Sequence, residues 1–201
     1  MLLAVGSLGF AGCSSGGDSG LPKNWERFSE GAFAGALHRD WTETYLDAAS
    51  LEVGGTELPE SIESAFDAYV AAGNSQVFFV YLEKVPLDGF VTYINILGCE
   101  TEESIPVVVD PAKLAEYYKS VGVPATPHAR VDFRGRDFVI LKLEIAPKFD
   151  TYLVYIEADG CYLPATLTTR KGESYWVNPF GTFMSYLEPD VSQLRGAGRV
   201  P

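Results

Sequence analysis

The dipeptide Asp159-Gly160, set between two apolar segments, constrains the fold more than any other feature of the sequence. The flanking segments, Tyr152 to Glu157 and Tyr162 to Thr169, are rich in the β-branched and aromatic residues that favour strands. Asp-Gly favours the tight turn that joins two antiparallel strands, because both turn residues must adopt positive φ. The sequence therefore predicts a β-hairpin here and an antiparallel sheet around it.

Four further segments have strand composition. The segments His128 to Phe133 and Arg136 to Ile145 flank a short turn and predict a second hairpin. Upstream, Gln76 to Lys84 and Gly89 to Cys99 are separated by a Pro-containing loop. The latter is apolar at most positions of both faces, which predicts a strand in the interior of the sheet.

Three helices are predicted among these strands. One begins near Ser61, where apolar residues recur at helical spacing between Pro59 and Gly73. Another begins at Asp110-Pro111, since Asp caps the first turn and Pro suits the first helical position. The last spans about Phe180 to Leu187.

The aromatic segment from Asn24 to Leu51 is ambiguous. A helical stripe through Leu37, Trp41 and Tyr45 competes with a hairpin in which Gly31 and Gly35 interrupt any helix. Hairpin strands with helices between them predict an α+β fold, in which helices flank an antiparallel sheet. We expect one domain over residues 24–190 and a flexible tail over residues 191–201.

The first twenty residues indicate where the protein is located. The apolar run Met1 to Phe10 is too short to span a bilayer but suits a secretory signal, and Ala11-Gly12-Cys13 resembles the bacterial lipoprotein box. In that box the cysteine is lipidated and becomes the new N-terminus. Residues 1–12 are thus predicted to be a signal peptide, Cys13 a lipid site, and residues 13–23 a Gly/Ser-rich tether. The expected location is the extracytoplasmic face of a bacterial membrane.

Two departures keep an alternative open at this end of the chain. No Lys or Arg precedes the apolar run, and Phe10 stands where Leu is usual. The alternative is a buried first strand or helix with an incidental cysteine. An oxidising compartment would also allow Cys99 and Cys161 to pair, since both lie near predicted strand ends. A disulfide between them and two separately buried thiols both remain open.

Charge and composition exclude some classes of function. The net charge of −12 repels phosphate backbones and anionic lipid head groups, so nucleic acid is not an expected partner. The histidines, His38 and His128, lack the spacing of metal ligands, and no cofactor motif occurs, so we expect neither metal nor cofactor. Glu100, Glu102 and Glu103 form an acidic cluster, which we interpret as a solvated loop.

Aromatic side chains supply the candidate binding residues. Tyr117 and Tyr118 are adjacent on the helix that begins at Asp110, so both cannot face the core. Trp176 lies in an aromatic-rich segment beside the last helix. Exposed aromatic residues often anchor a partner or a sugar, so we select Tyr117, Tyr118 and Trp176 as binding candidates.

The order of elements resembles the PsbP-like and Mog-like superfamily. The residues that carry this resemblance are Phe33 to Leu37, Tyr45 to Ala49 and Asn74 to Val80. The resemblance implies an α/β/α sandwich built on an antiparallel sheet. It also implies a non-catalytic accessory protein that binds a partner.

Three functional hypotheses follow from these observations. The first is a lipid-anchored, extracytoplasmic protein that binds a protein or small ligand without catalysis. The second is a membrane-tethered hydrolase or carbohydrate-active enzyme that uses carboxylates such as Asp132, Asp137 and Glu144. The third is a structural protein of the cell envelope.

Overall fold

The fold is taken from a computed structural model of the 201-residue chain. The structure describes residues 20–47, 60–71, 76–82, 90–97, 110–133 and 136–196.

Ten strands and four α-helices form the described part of the chain. The strands are β1 (Trp25–Glu30), β2 (Phe33–His38), β3 (Trp41–Asp47), β4 (Gln76–Leu82), β5 (Tyr93–Ile96), β6 (Ala125–Phe133), β7 (Arg136–Leu143), β8 (Phe149–Ala158), β9 (Cys161–Arg170) and β10 (Glu188–Pro189). The helices are α1 (Glu60–Ala71), α2 (Pro111–Ser120), α3 (Val177–Tyr186) and α4 (Val191–Gly196), with a 3₁₀ turn over Ser174–Trp176. No helix in these ranges is long and apolar enough to cross a bilayer.

The strands are arranged in two antiparallel sheets. Within the described ranges, the large sheet has the order β3-β4-β5-β9-β8-β7-β6, and the small sheet has the order β1-β2-β10. β5 lies between β4 and β9, which confirms the prediction of an interior strand. It is shorter than the predicted segment from Gly89 to Cys99.

The β8–β9 hairpin is the centre of the large sheet. Its register runs from Phe149 opposite Arg170 to Ala158 opposite Cys161. Asp159 and Gly160 have φ of 49° and 70°, the positive values of the predicted tight turn. Most side chains of both strands are buried on both faces of the sheet.

Each face of the large sheet has its own cover. On one face, hereafter the inner face, Tyr152, Val154 and Ile156 of β8 belong to the main core, together with side chains of α3 and the small sheet. On the other, the outer face, Leu153 and Tyr155 pack with Leu114 of α2. The chain is therefore an α+β protein with an antiparallel sheet and helices on both of its faces, as the sequence predicts.

Stacked phenylalanines connect the two sheets. Phe78 of β4 stacks on Phe33 of β2 with ring centroids 4.8 Å apart, and on Phe28 of β1 at 5.6 Å. Phe28 also stacks on Phe183 of α3. Stacked aromatic pairs contribute roughly 1 kcal/mol each beyond the area that they bury. The small sheet is thereby fixed over the inner face.

The predicted helix boundaries are largely confirmed. The carboxylate of Asp110 accepts the backbone N–H of Ala112 and Lys113, and Pro111 is the first helical residue of α2. Gly122 follows the helix with φ of 87°, a conformation that glycine adopts without strain. α3 begins three residues earlier than predicted, at Val177.

Two predictions need correction. The segment from Asn24 forms strands β1, β2 and β3, so the helical alternative is wrong and the hairpin is confirmed. Residues 191–196, predicted to be part of a flexible tail, form α4. Val191 and Leu194 are buried in the main core, and this burial explains why the segment is helical.

Substitution of Gly35 tests the contact between the small sheet and the end of α3. A Cβ at this position would lie 2.8 Å from the Tyr186 carbonyl oxygen and 3.2 Å from Leu187 Cα, both of which are backbone atoms. We expect Gly35→Ala to lower the free energy of unfolding by about 1–3 kcal/mol in chemical denaturation. Gly20→Ala is the control, since its Cβ would meet no atom within 4 Å. Equal stability of the two variants would contradict this packing.

Candidate functional site

A cavity of about 400 Å³ lies at one end of the large sheet. At this end, Leu143 of β7 pairs with Ala125 at the start of β6, and Arg170 of β9 pairs with Phe149 at the start of β8. We call this end of the large sheet the lysine end, because Lys119, Lys142, Lys148 and Lys171 lie there. The cavity is lined by Lys142, Leu143, Glu144, Ile145, Ala146, Pro147, Phe149, Asp150 and Lys171.

A buried ion pair forms one wall of the cavity. The Asp150 side chain is only 5% exposed, and its Oδ1 accepts a 2.8 Å bond from Lys142 Nζ. Its Oδ2 accepts the backbone N–H of Gly172, also at 2.8 Å. Burial alone would raise the pKa of Asp150, but the bonds from Gly172 and Lys142 outweigh burial and hold that pKa below its ordinary value. The carboxylate is thus ionised and fixed in position.

The strand register explains why these two side chains meet. Lys142 of β7 lies directly opposite Tyr152 of β8, and Asp150 is two residues earlier on the same face of β8. Gly172, in the turn that follows β9, has φ of 89°. Glycine adopts this conformation freely, and here its N–H points at Asp150.

Aromatic rings surround the ion pair. Tyr152 is 1% exposed and packs against the His128 ring, with centroids 4.8 Å apart. Lys142 Nζ lies 5.7 Å from the Tyr152 ring centroid. Its bond to Asp150 raises the pKa of Lys142, so this ammonium stays charged at neutral pH. Phe149 precedes Asp150 on β8, so its side chain points to the opposite face of the sheet, where its ring stacks on Phe90 with centroids 4.5 Å apart.

The predicted binding residues lie on opposite faces of the large sheet and do not form one site. Tyr118 packs against the outer-face core, and its hydroxyl is 2.7 Å from that of Tyr155. Tyr117 is half-buried beside it, with ring centroids 5.5 Å apart. Trp176 packs against the inner-face core and contacts the Trp41 ring at 5.8 Å. Tyr118 and Trp176 thus pack against a core, whereas Tyr117 contacts the Tyr118 ring at the edge of the outer-face core.

Tyr175 is the aromatic residue of this segment that remains open to solvent. Its side chain is 63% exposed, and its ring centroid is 4.7 Å from that of Trp176. Sequence reasoning did not select it among the binding candidates, because its polar neighbours Glu173 and Ser174 give no periodicity that separates exposed from buried positions.

The three candidate catalytic carboxylates do not converge. Asp132 lies opposite Asp137 in the register at the β6–β7 turn, while Glu144 follows the other end of β7 at the cavity. Among the described residues, no three His, Cys, Asp or Glu side chains are placed to hold a metal ion. The acidic cluster of Glu100, Glu102 and Glu103 lies outside the described residues.

The predicted cysteine sites are described only in part. Cys161 is fully buried and belongs to a disulfide bond. Cys13 and Cys99 lie outside the described residues, as does the predicted signal peptide over residues 1–12. The chain has three cysteines, so the partner of Cys161 is one of these two.

Comparisons with known proteins give similar folds only at low similarity. The solution structure of cyanobacterial PsbP (CyanoP) from Synechocystis sp. PCC 6803 aligns with a TM-score of 0.45 and 12% identity, over 92% of this chain and 98% of that one. A crystal structure from Bacteroides thetaiotaomicron VPI-5482 aligns with a TM-score of 0.43 and 14% identity, over 81% of this chain and 47% of that one. No protein-family model matches the sequence, and no curated protein does. A PsbP protein is thus among the similar structures, but this level of similarity assigns no function.

The ion pair makes a pH-dependent prediction. The pKa of Asp150 is lower in the folded than in the unfolded chain, so its stabilising contribution is present above about pH 4 and is lost as the pH falls through the folded-state value. We expect Asp150→Asn to lower the free energy of unfolding by about 1–3 kcal/mol near neutral pH, and the difference from wild type to shrink in acid.

Glu144→Gln is the control, because Glu144 is an exposed carboxylate at the same cavity. It should change the free energy of unfolding by less than about 0.5 kcal/mol. Urea denaturation over a pH series measures both, and a cost for Asp150→Asn that is independent of pH would contradict the assignment.

The disulfide makes a second prediction. β5 pairs with β9, and the backbone N–H of Leu97 bonds to the Pro164 carbonyl, so Cys99 is only two residues beyond a contact with the strand that carries Cys161. We therefore expect the bond to join Cys99 and Cys161 and to persist in Cys13→Ser. Peptide mapping by mass spectrometry without reductant identifies the pair. A peptide that links Cys13 to Cys161 would refute the prediction and would also leave no thiol at Cys13 for a lipid.

Proposed function

We propose that this chain is a lipid-anchored, extracytoplasmic accessory protein that binds a ligand or partner at the lysine end and catalyses no reaction. The observation that carries this proposal is the Lys142 ammonium, which the buried Asp150 carboxylate holds at the wall of the cavity. A cavity of this volume is within the range of small-molecule sites.

The geometry of Lys142 suits recognition of an acidic group. Its side chain is 32% exposed, and an ammonium has three donors, of which Asp150 Oδ1 accepts one. Lys171, which is exposed, lines the same cavity. Ile145 and Phe149 supply apolar surface beside these charges. A ligand with a carboxylate or phosphate and an apolar part matches this combination.

The ionised state of the Asp150 carboxylate favours a role in binding over a role as a general acid. A general acid needs a proton near neutral pH, and its pKa is usually raised for that role. The pKa of Asp150 is lowered instead, so the group serves to position Lys142. Asp132 and Asp137 lie at the β6–β7 turn, away from the cavity. The hypothesis of a carboxylate hydrolase therefore has less support than the binding hypothesis.

The anchor part of the proposal rests on the N-terminal sequence. Cys13 follows the small residues Ala11 and Gly12, and the Ser/Gly-rich stretch from Ser14 to Gly20 has the composition of a flexible tether. The described structure begins at Gly20, whose carbonyl accepts a 2.9 Å bond from the Tyr186 hydroxyl. A tether that ended at this contact would lead directly to the folded domain.

Native mass spectrometry of the protein extracted from its own membranes tests both parts of the proposal. We expect a diacylglycerol mass increment that disappears in Cys13→Ser, and a bound acidic small molecule or partner chain whose occupancy falls several-fold in Lys171→Gln. Lys171→Gln changes an exposed side chain and should leave stability within about 0.5 kcal/mol of wild type. An unmodified Cys13 would refute the anchor. Equal occupancy of wild type and Lys171→Gln, or none in either, would refute the binding site.

A further inference from the structure

The exposed apolar side chains of the described residues gather at the lysine end. The three large ones that are more than half exposed are Val121, Ile145 and Tyr175, at 57%, 60% and 63%. Val121 caps α2, just before β6 begins, and Ile145 follows β7. Tyr175 lies in the 3₁₀ turn after β9.

The segments that carry these three residues lie at the same end of the large sheet. The N–H of Glu144 bonds to the Pro124 carbonyl, which places the segment after Val121 beside the segment that contains Ile145. Ile145 and Lys171 line the same cavity, and Tyr175 is four residues beyond Lys171. The end of α2, the cavity and the 3₁₀ turn are therefore all parts of the lysine end.

Exposed lysines lie at the same end of the sheet as these apolar side chains. Lys119, Lys148 and Lys171 are exposed there, and the backbone N–H of Lys171 bonds to the Lys148 carbonyl. Among the described carboxylates of this surface, Asp150 is paired with Lys142, Glu173 accepts the Thr169 hydroxyl, and Glu144 is exposed at the cavity. Lys119, Lys142, Lys148 and Lys171 outnumber these three carboxylates by one. The local charge is positive on a chain whose net charge is −12.

At the opposite end of the large sheet, the described acidic residues outnumber the basic ones. Asp132 lies where β6 ends, and Glu157 and Asp159 lie at the β8–β9 turn, all with exposed side chains, whereas Arg136 at the start of β7 is basic. This asymmetry would orient the domain in the field of an anionic surface, with the lysine end toward it. Screening reduces the repulsion from the distant acidic end, because the Debye length at physiological ionic strength is about 8 Å.

We propose that the lysine end docks on an anionic membrane surface, with Val121, Ile145 and Tyr175 among the lipid headgroups and the lysines against their phosphates. Exposed apolar side chains ringed by lysine are typical of surfaces that bind the membrane interface. The centres of protein interfaces, by contrast, are depleted of lysine. The inference shares the lysine end with the proposed function but does not depend on a lipid at Cys13.

Vesicle binding by the full chain carrying Cys13→Ser tests this proposal. The probes are vesicles of phosphatidylcholine alone and of equal parts phosphatidylcholine and phosphatidylglycerol. We expect binding to the anionic vesicles that weakens with added salt, and much weaker binding to the neutral ones. In the same background, the pair Lys119→Gln and Lys148→Gln should weaken anionic binding about 10- to 30-fold, and the pair Val121→Ser and Tyr175→Ser about 10-fold.

The variants are chosen so that neither the cavity ligand nor the N-terminal residues can explain a difference in vesicle binding. None of the four substituted residues lines the cavity, so loss of vesicle binding is distinguishable from loss of the cavity ligand. Any contribution of the N-terminal residues is common to all variants. Lys113→Gln, which removes one charge, is the control for the position of the lysines and is compared with Lys119→Gln alone as well as with the pair. Lys113 lies eight residues before Val121, about 12 Å along a helix axis and beyond the Debye length. It should change binding by less than about twofold.

Three results would overturn the proposal. The first is no binding to the anionic vesicles, and the second is equal binding to the anionic and neutral ones. The third is an equal effect of Lys113→Gln and of the pair Lys119→Gln and Lys148→Gln. Circular dichroism of each variant checks that its fold is unchanged.

Discussion

Strands β8 and β9 are buried on both faces, and this burial determines what must lie on each side of the large sheet. A strand pair of this kind is stable only if apolar partners cover both surfaces. α2 supplies them on the outer face, through Leu114, and α3 with the small sheet supplies them on the inner face.

The lysine end is where this two-sided burial stops. Lys142 and Asp150 face inward beside Ile140 and Tyr152 of the main core, so leaving either unpaired would carry a desolvation cost. Their mutual bond and the Gly172 N–H meet that requirement, and the result is a fixed ammonium at the edge of the core. The same end exposes Val121, Ile145 and Tyr175. A structural requirement of the sheet thus leaves a charged and apolar surface available for binding.

Features set by neighbours in sequence could be predicted, whereas features set by strand register could not. The Asp159-Gly160 turn and the Asp110 cap depend on adjacent residues, and both appear as expected. The Lys142–Asp150 pair depends on the β7–β8 register, which the sequence does not specify residue by residue. The three exposed apolar residues come from separate segments, and only the folded chain brings those segments to one end of the sheet. Burial of Val191 in the core is likewise a tertiary effect, and the sequence pattern of the C-terminus did not predict it.

The central claim is that the lysine end is the part of the domain that binds. Amide hydrogen exchange, followed by mass spectrometry on the full chain with and without its membrane, measures this directly. The account predicts that binding slows exchange in the segments around residues 121–124, 144–148 and 171–175 and leaves the Asp159-Gly160 turn unchanged. Slower exchange at that turn, with no change in the three segments, would show that the opposite end binds and would contradict the account.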